Sequence, residues 1–178
     1  MSEELEKRFE RRQPDGDTHE RDICARCGFI AYENPKIVVG TVVTHEDRFL
    51  LCRRAIEPRK GFWTVPAGYL ELQETPEEGA RREAFEEASA ELQIGGLLAV
   101  YSVRHLSQVQ LIFHGDLVDG AHEPGIESLE TALFKWHDIP WNELAFPTVH
   151  WMLGHEAERR SGATGLPFGN PQGEGVQK

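Results

Sequence analysis

The chain has 178 residues, of which 39% are hydrophobic, and a formal net charge of -11. That size and composition suit one globular domain with short appendages, and no apolar run approaches the roughly 20 residues that span a bilayer. The acidic balance argues against broad binding to nucleic acid or to an anionic membrane, both of which reward a basic surface; it either serves only to keep the protein soluble or goes with a phosphate-bearing substrate that needs a bridging cation.

Residues 1–20 are polar and charged and read as a frayed or partly helical lead-in. The first residues lack the apolar segment of a secretory signal and the three cysteines form no disulfide framework, so a cytoplasmic protein is expected. Cys24-Ala25-Arg26-Cys27 has the tight turn and spacing of a metal knuckle, but the second Cys-x-x-Cys of a four-ligand zinc site is missing. With only His19 and Cys52 as substitutes, Cys24 and Cys27 are expected not to hold zinc by themselves, and read as a vestige or as half of a site shared across a dimer. Ile37–Val43, a polar turn at His45-Glu46-Asp47 and Phe49–Cys52 predict a β-hairpin, followed by a short extended stretch over Phe62–Val65.

Residues 75–92 predict a helix. Thr75 is a suitable N-cap, Pro76 suits the first helical position, and Glu78 completes a capping box. Strands are expected at Leu97–Val103, Val109–Phe113 and Ala132–Trp136, and a last helix at Pro147–Arg160; the Gly- and Pro-rich residues 161–178 read as an irregular tail. Strands on both sides of a central helix, with another helix at the end, predict an α/β (α+β) fold with a mixed sheet packed between helices. The domain plan is a lead-in over 1–35, a main domain over 36–160 and the tail.

The central helix carries the chemistry. Glu83, Glu86 and Glu87 fan over one face, beside a stripe of Ala80, Ala84 and Ala88 that allows close packing. At about 5 Å and an effective dielectric near 20, each carboxylate pair repels by about 3 kcal/mol, less where water reaches it. A divalent cation removes that repulsion, and the oxygens suit Mg²⁺ or Mn²⁺. Taken alone, such a face is as well explained by solvation and by Arg81 and Arg82.

The wider pattern resembles the Nudix hydrolase family. Its signature places Glu six residues after Gly, then Arg-Glu eight residues later, an apolar residue, any residue, Glu-Glu, any residue and Gly. Here it reads Gly68, Glu74, Arg82-Glu83-Ala84 and Glu86-Glu87, with Ser89 in place of the glycine. Serine accepts a positive φ less readily than glycine, so a slight rearrangement of the turn after the helix is expected there. The resemblance covers about residues 22–160 and implies the Nudix fold.

The resemblance also implies roles: Glu83, Glu86 and Glu87 as metal ligands and base, the Ala67 carbonyl completing the shell, Arg82 orienting a glutamate and Glu74 anchoring the loop. Downstream, Glu127 is the candidate for a further ligand or base. Arg53, Arg54 and Lys60 are candidates to clamp phosphates, and Trp63 to stack a base, although a strand tryptophan more often belongs to a core. His105, Ser107 and Gln108 are weaker candidates for substrate contact. The implied reaction is attack of a metal-activated water on the pyrophosphate linkage of a small-molecule nucleotide. The stretches Tyr101-Ser102 to Ser107-Gln108-Val109 and Pro124–Glu130 most resemble the zinc-ribbon-bearing subgroup linked to ADP-ribose and flavin adenine dinucleotide. Ser107-Gln108 does not continue into the proline- and tryptophan-rich array of NADH pyrophosphatases, which disfavours NADH, and the proline that common ADP-ribose enzymes carry past the box is also absent. The alternatives are a housecleaning enzyme for nucleoside triphosphates and a silent nucleotide-binding regulator. Family members are often dimers, and Trp141, Phe146 and Trp151 are candidates for such an interface.

Overall fold

The computed structural model describes residues 8–172. The chain divides at Pro35/Lys36 into two compact units. The first is a three-stranded antiparallel sheet of β1 (Phe9–Arg12), β2 (Arg21–Cys24) and β3 (Ile30–Ala31), with β2 in the middle. β1 overturns the expectation of a frayed or helical lead-in for its part of the chain, whereas residues 1–7 lie outside the described residues. Its Phe-Glu-Arg-Arg is exposed on both faces and so carries no alternation; backbone pairing from Phe9↔Cys24 to Arg12↔Arg21 holds it.

The second unit is built on β4 (Lys36–His45) and β5 (Arg48–Arg54), which form the expected hairpin, followed by the short β6 (Trp63–Thr64) and β7 (Ala67–Tyr69). Helix α1 (Pro76–Ala88) precedes β8 (Leu92–Val103), β9 (Gln108–Leu117), β10 (Ser128–Lys135) and helix α2 (Pro147–Arg160). The strand order is β10-β5-β4-β9-β8, with β6 on β5 and β7 on β4. The β4–β9 pair is parallel and its neighbours antiparallel, so the sheet is mixed.

Alternation along β4 builds both faces. Val39 clusters with Ala80, and Val43 with Ala88, beneath α1; Val42 joins Val149 and Leu153 of α2 in the main core. Ala80, Ala84 and Ala88 are fully buried. The helix could not approach so closely with larger residues on that stripe, because close-packed interiors tolerate little extra volume.

Helix α1 stops four residues before the expected end. Thr75 accepts from the Glu78 amide and Glu78 caps back, and Ser89 ends the helix in the left-handed region at φ 49°. The turn made by glycine in the signature is therefore made here by serine, and the chain is free to enter β8 at Leu92. The tail is likewise not wholly irregular. Phe168 forms a parallel bridge to Ala99 on the outer edge of β8, donating to the Leu98 carbonyl while the Val100 amide donates to its own carbonyl, both at 2.8 Å.

Candidate active site

Close approach of α1 to β7 fixes the geometry of the acidic cluster. A Cβ on Gly68 would overlap the Glu83 carboxylate, so glycine there lets that carboxylate keep its position. Arg82 is the hub. Its Nε and Nη2 donate to the two Glu74 oxygens at 3.0 and 2.8 Å, and Nη2 also reaches the Tyr69 carbonyl at 3.0 Å. Its Nη1 donates to Glu83 at 2.7 Å and to Glu86 at 3.0 Å. Glu74 in turn accepts from the Glu71 amide at 2.7 Å, which ties the loop to the helix. The Arg82 fork and that amide hold the Glu74 carboxyl down at about 2.

Glu83 and Glu87 are buried, an uncommon state for glutamate. Burial raises the Glu83 carboxyl above its ordinary value, against the opposing pull of Arg82. Glu87 is pushed up to about 8, first by burial and then by the Glu83 charge, with Glu127 adding to the effect and the Ala67 amide and Arg54 opposing it. The Ala67 amide donates to Glu87 at 3.3 Å.

These groups line a cavity of about 1120 Å³ together with Arg54, Ala67, Gly68, Glu86 and Glu127. Glu127 reaches it from the loop after β9. The Gly125 amide donates to the Glu87 carbonyl at 3.1 Å, the Glu123 amide to the Ala88 carbonyl at 2.8 Å, and the Ala55 amide to the Glu127 carbonyl at 2.8 Å. The loop is thus stapled to the end of α1, and a Cβ on Gly125 would overlap the Glu86 carbonyl.

The donor set fits a hard divalent cation. Two buried carboxylates, both raised and mutually repelling, are relieved by positive charge and by little else in the cavity. Among the described residues no three acidic, His or Cys side chains already converge on a metal-binding point. Glu83 and Glu86 each turn an oxygen to Arg82, so a cation requires those oxygens to be shared or released.

Four candidates for substrate contact from the sequence, Arg53, Lys60, Trp63 and Ser107, lie away from this cavity. Arg53 alternates to the opposite face from Arg54, where its Nε donates to the Gly61 carbonyl at 2.9 Å and Nη1 lies 3.5 Å from Glu130. Trp63 is a core residue, packed edge-on against Phe134 at 5.0 Å. Neither lines the cavity, whereas Arg54, His105 and Gln108 do. Lys60 is exposed and also outside it. Cys24 and Cys27 lie in the first unit, at the turn after β2, where the Gly28 amide closes on the Cys24 carbonyl at 2.9 Å. Residues missed in the sequence include Tyr69 and Gln110, which line the cavity from β7 and β9; strand alternation puts Gln110 on the same face as Gln108, one of the weaker candidates.

Comparison with known proteins places this geometry. The NUDIX domain family matches residues 34–152, and the family described as Nudix N-terminal matches residues 7–33. A crystal structure of a NUDIX hydrolase from Nitrosomonas europaea is 46% identical and superposes with a TM-score of 0.85, covering 90% of this chain and 92% of that one. An ADP-ribose pyrophosphatase from Methanocaldococcus jannaschii is 29% identical over 119 residues, 65% of this chain and 69% of that protein. An NAD-capped RNA hydrolase from Haemophilus influenzae is 33% identical over 72 residues, but these are 39% of this chain and only 27% of that protein.

Proposed function

This chain belongs to the Nudix family, and we propose that it hydrolyses the pyrophosphate linkage of an ADP-containing small molecule such as ADP-ribose with Mg²⁺ as cofactor. The observation that carries this reading is that Glu83, Glu86, Glu87 and Glu127 line one cavity with Arg54. A volume of about 1120 Å³, at the upper end of small-ligand sites of roughly 300–1,000 Å³, has room for a whole nucleotide and a second moiety. The M. jannaschii relative, named as an ADP-ribose pyrophosphatase, supports the same class.

In this reading Glu83, Glu86, Glu87 and the Ala67 carbonyl hold the ion. When bound, it lowers the pKa of a water and shields the diphosphate oxygens. Arg82 orients Glu83 and Glu86, because one guanidinium nitrogen bonds both. Arg54 lines the same cavity, its Nε donating to the Pro58 carbonyl at 2.8 Å, and offers its two terminal nitrogens to a phosphate. Glu127, facing α1 from a loop with its own anchors, takes the proton of the attacking water.

Product release from ADP-ribose, flavin adenine dinucleotide, NADH, a diadenosine polyphosphate and a nucleoside triphosphate, with Mg²⁺ or EDTA, tests this. Release of AMP from an ADP-containing compound is expected. It should be abolished by EDTA and fall at least about a hundredfold in Glu86→Gln and Glu87→Gln, in line with loss of a metal-held transition state. Saturable nucleotide binding with no metal-dependent turnover of any compound would overturn the enzymatic reading in favour of a regulator.

A further inference from the structure

The sheet wall of the cavity contains a polar atom with no partner. Gln110 Oε1 is buried and accepts no hydrogen bond from the described residues. Buried acceptors left unpaired are few in native proteins, and each costs the desolvation of its group. The other such atom, Thr41 Oγ1, lies outside the cavity, whereas Gln110 lines it. Because Gln110 itself lines the cavity, a turn of its terminal amide brings Oε1 to a ligand there, whereas Thr41 is not on the cavity wall.

Strand register sets what surrounds the amide. Tyr69 of β7 pairs with Val38 of β4, which pairs with Gln110 of β9. Residues directly paired across a sheet project from one face, and neighbouring strands lie about 4.8 Å apart. Tyr69 and Gln110 thus stand on the same face about 10 Å apart, with Val38 as an apolar floor between them. All three line the cavity. Tyr69 is held in place: Gln108 Nε2 donates to its hydroxyl at 3.2 Å, and Lys36 Nζ sits 5.2 Å from the ring centroid. The slot has a fixed aromatic wall, an apolar floor, and one side chain able both to accept and to donate.

A planar heterocycle with an apolar face and a donor beside an acceptor on its edge fits that slot. A primary amide matches the N6/N7 edge of adenine in this way, accepting from the exocyclic amine and donating to N7, an edge where an oxo group in place of the amine leaves two acceptors. We propose that Gln110 reads the base of the substrate, with its amide paired to the edge of an adenine ring lying over Val38 and bounded by Tyr69. This deepens the nucleotide reading above and rests on it. It assigns specificity for the base to β9, on the strand next to the one that carries Val38, while the diphosphate lies with the carboxylates of α1.

Binding of the bare products separates this inference from the hydrolysis. AMP, IMP and ribose 5-phosphate are titrated into the full chain by calorimetry, without any turnover. IMP differs from AMP by an oxo group where adenine carries its amine. The intact protein is expected to bind AMP at least about tenfold more tightly than IMP, the scale of one bidentate base contact. Gln110→Leu should bring the two within threefold, and so should Gln110→Glu, which keeps the size but loses the donor; a thermal melt confirms that each variant folds. A folded variant that retains the full preference, or an intact protein with no preference, overturns the proposal. Loss of the preference in a protein that hydrolyses none of the compounds upholds Gln110 and sinks only the hydrolysis.

Discussion

Single carboxylates in this site answer to pH in a way that exposes their role. Glu87 has a folded pKa of about 8 against an ordinary value of 4.5. Below about 4.5 it is protonated in both folded and unfolded chains and contributes no pH dependence. Between about 4.5 and 8 the unfolded chain releases the proton and the folded chain retains it, so stability falls as pH rises, and above 8 the full cost of burying the charge is present. Thermal melts in EDTA should therefore show a loss of roughly 2 kcal/mol or more between pH 5 and pH 8.5. Glu87→Gln should remove most of that loss, leaving the variant the more stable of the two at pH 8.5. Mg²⁺ should stabilise the original chain more at the higher pH, because ligands must be deprotonated to bind. An EDTA profile for the original chain that is flat or rises with pH sinks this account of Glu87. Gly68→Ala tests the same spot from the other side: its Cβ has no room beside the Glu83 carboxylate. Activity is expected to fall on the order of a hundredfold, as for other small misplacements of catalytic groups, with folding retained by circular dichroism.

Helix α1 works as a unit because its two ends are fixed by different means. The Thr75–Glu78 capping box secures the start, and Ser89 in the left-handed region secures the end at a steric cost that glycine would not carry. Ser89→Gly should stabilise the fold by about 0.5–1 kcal/mol, raising Tm by about 1–4 °C by calorimetry; an unchanged or lower Tm would show that the serine is not strained there. Gly125→Ala should lower kcat about tenfold or more by displacing Glu127 from the end of α1; a variant with unchanged kcat would mean that the loop does not position the base. Much of this helix was legible in advance, since caps, proline and alternating carboxylates are local signals. Its end was legible only through the resemblance, which puts Ser89 at the glycine of the turn; read locally, Ala88-Ser89-Ala90 continues the helical pattern, and the helix was expected to run to 92. Arg53 and Arg54 look alike in sequence, and only the register of β5 decides which one faces α1. Trp63 shows the same limit: its side chain is equally suited to a base or a core, and pairing with the core face settles it. β1 was hidden because a strand exposed on both faces leaves no hydrophobic period to read.

At the scale of the whole molecule the sheet has an edge to protect. β8 is the outer strand of its order, and an uncovered edge invites pairing with other chains. The tail covers part of it. Phe168 exchanges backbone hydrogen bonds with Leu98 and Val100, and its ring stacks on His155 at 4.3 Å with planes 6° apart. Asn170 continues the ladder with a side chain: its amide accepts from the Ser102 N–H at 2.8 Å and donates to the Ser102 carbonyl at 3.1 Å. Ser102 and its neighbours Val103 and Arg104 line the cavity, so the tail braces the active-site wall as well as the edge. The two duties separate experimentally. Phe168→Ala should cost about 1–2 kcal/mol, less than a fully buried phenylalanine because the ring is half-buried, and lower Tm by about 2–8 °C. Asn170→Ala should raise KM several-fold with little change in Tm, since it frees the wall without uncovering apolar surface. Removing residues 165–178 should do both and should also promote self-association, visible as a mass above the intact chain's by light scattering. A truncated chain with unaltered mass and KM would mean that β8 keeps its edge and its wall without the tail; a rise in KM without self-association would assign the tail to the site alone.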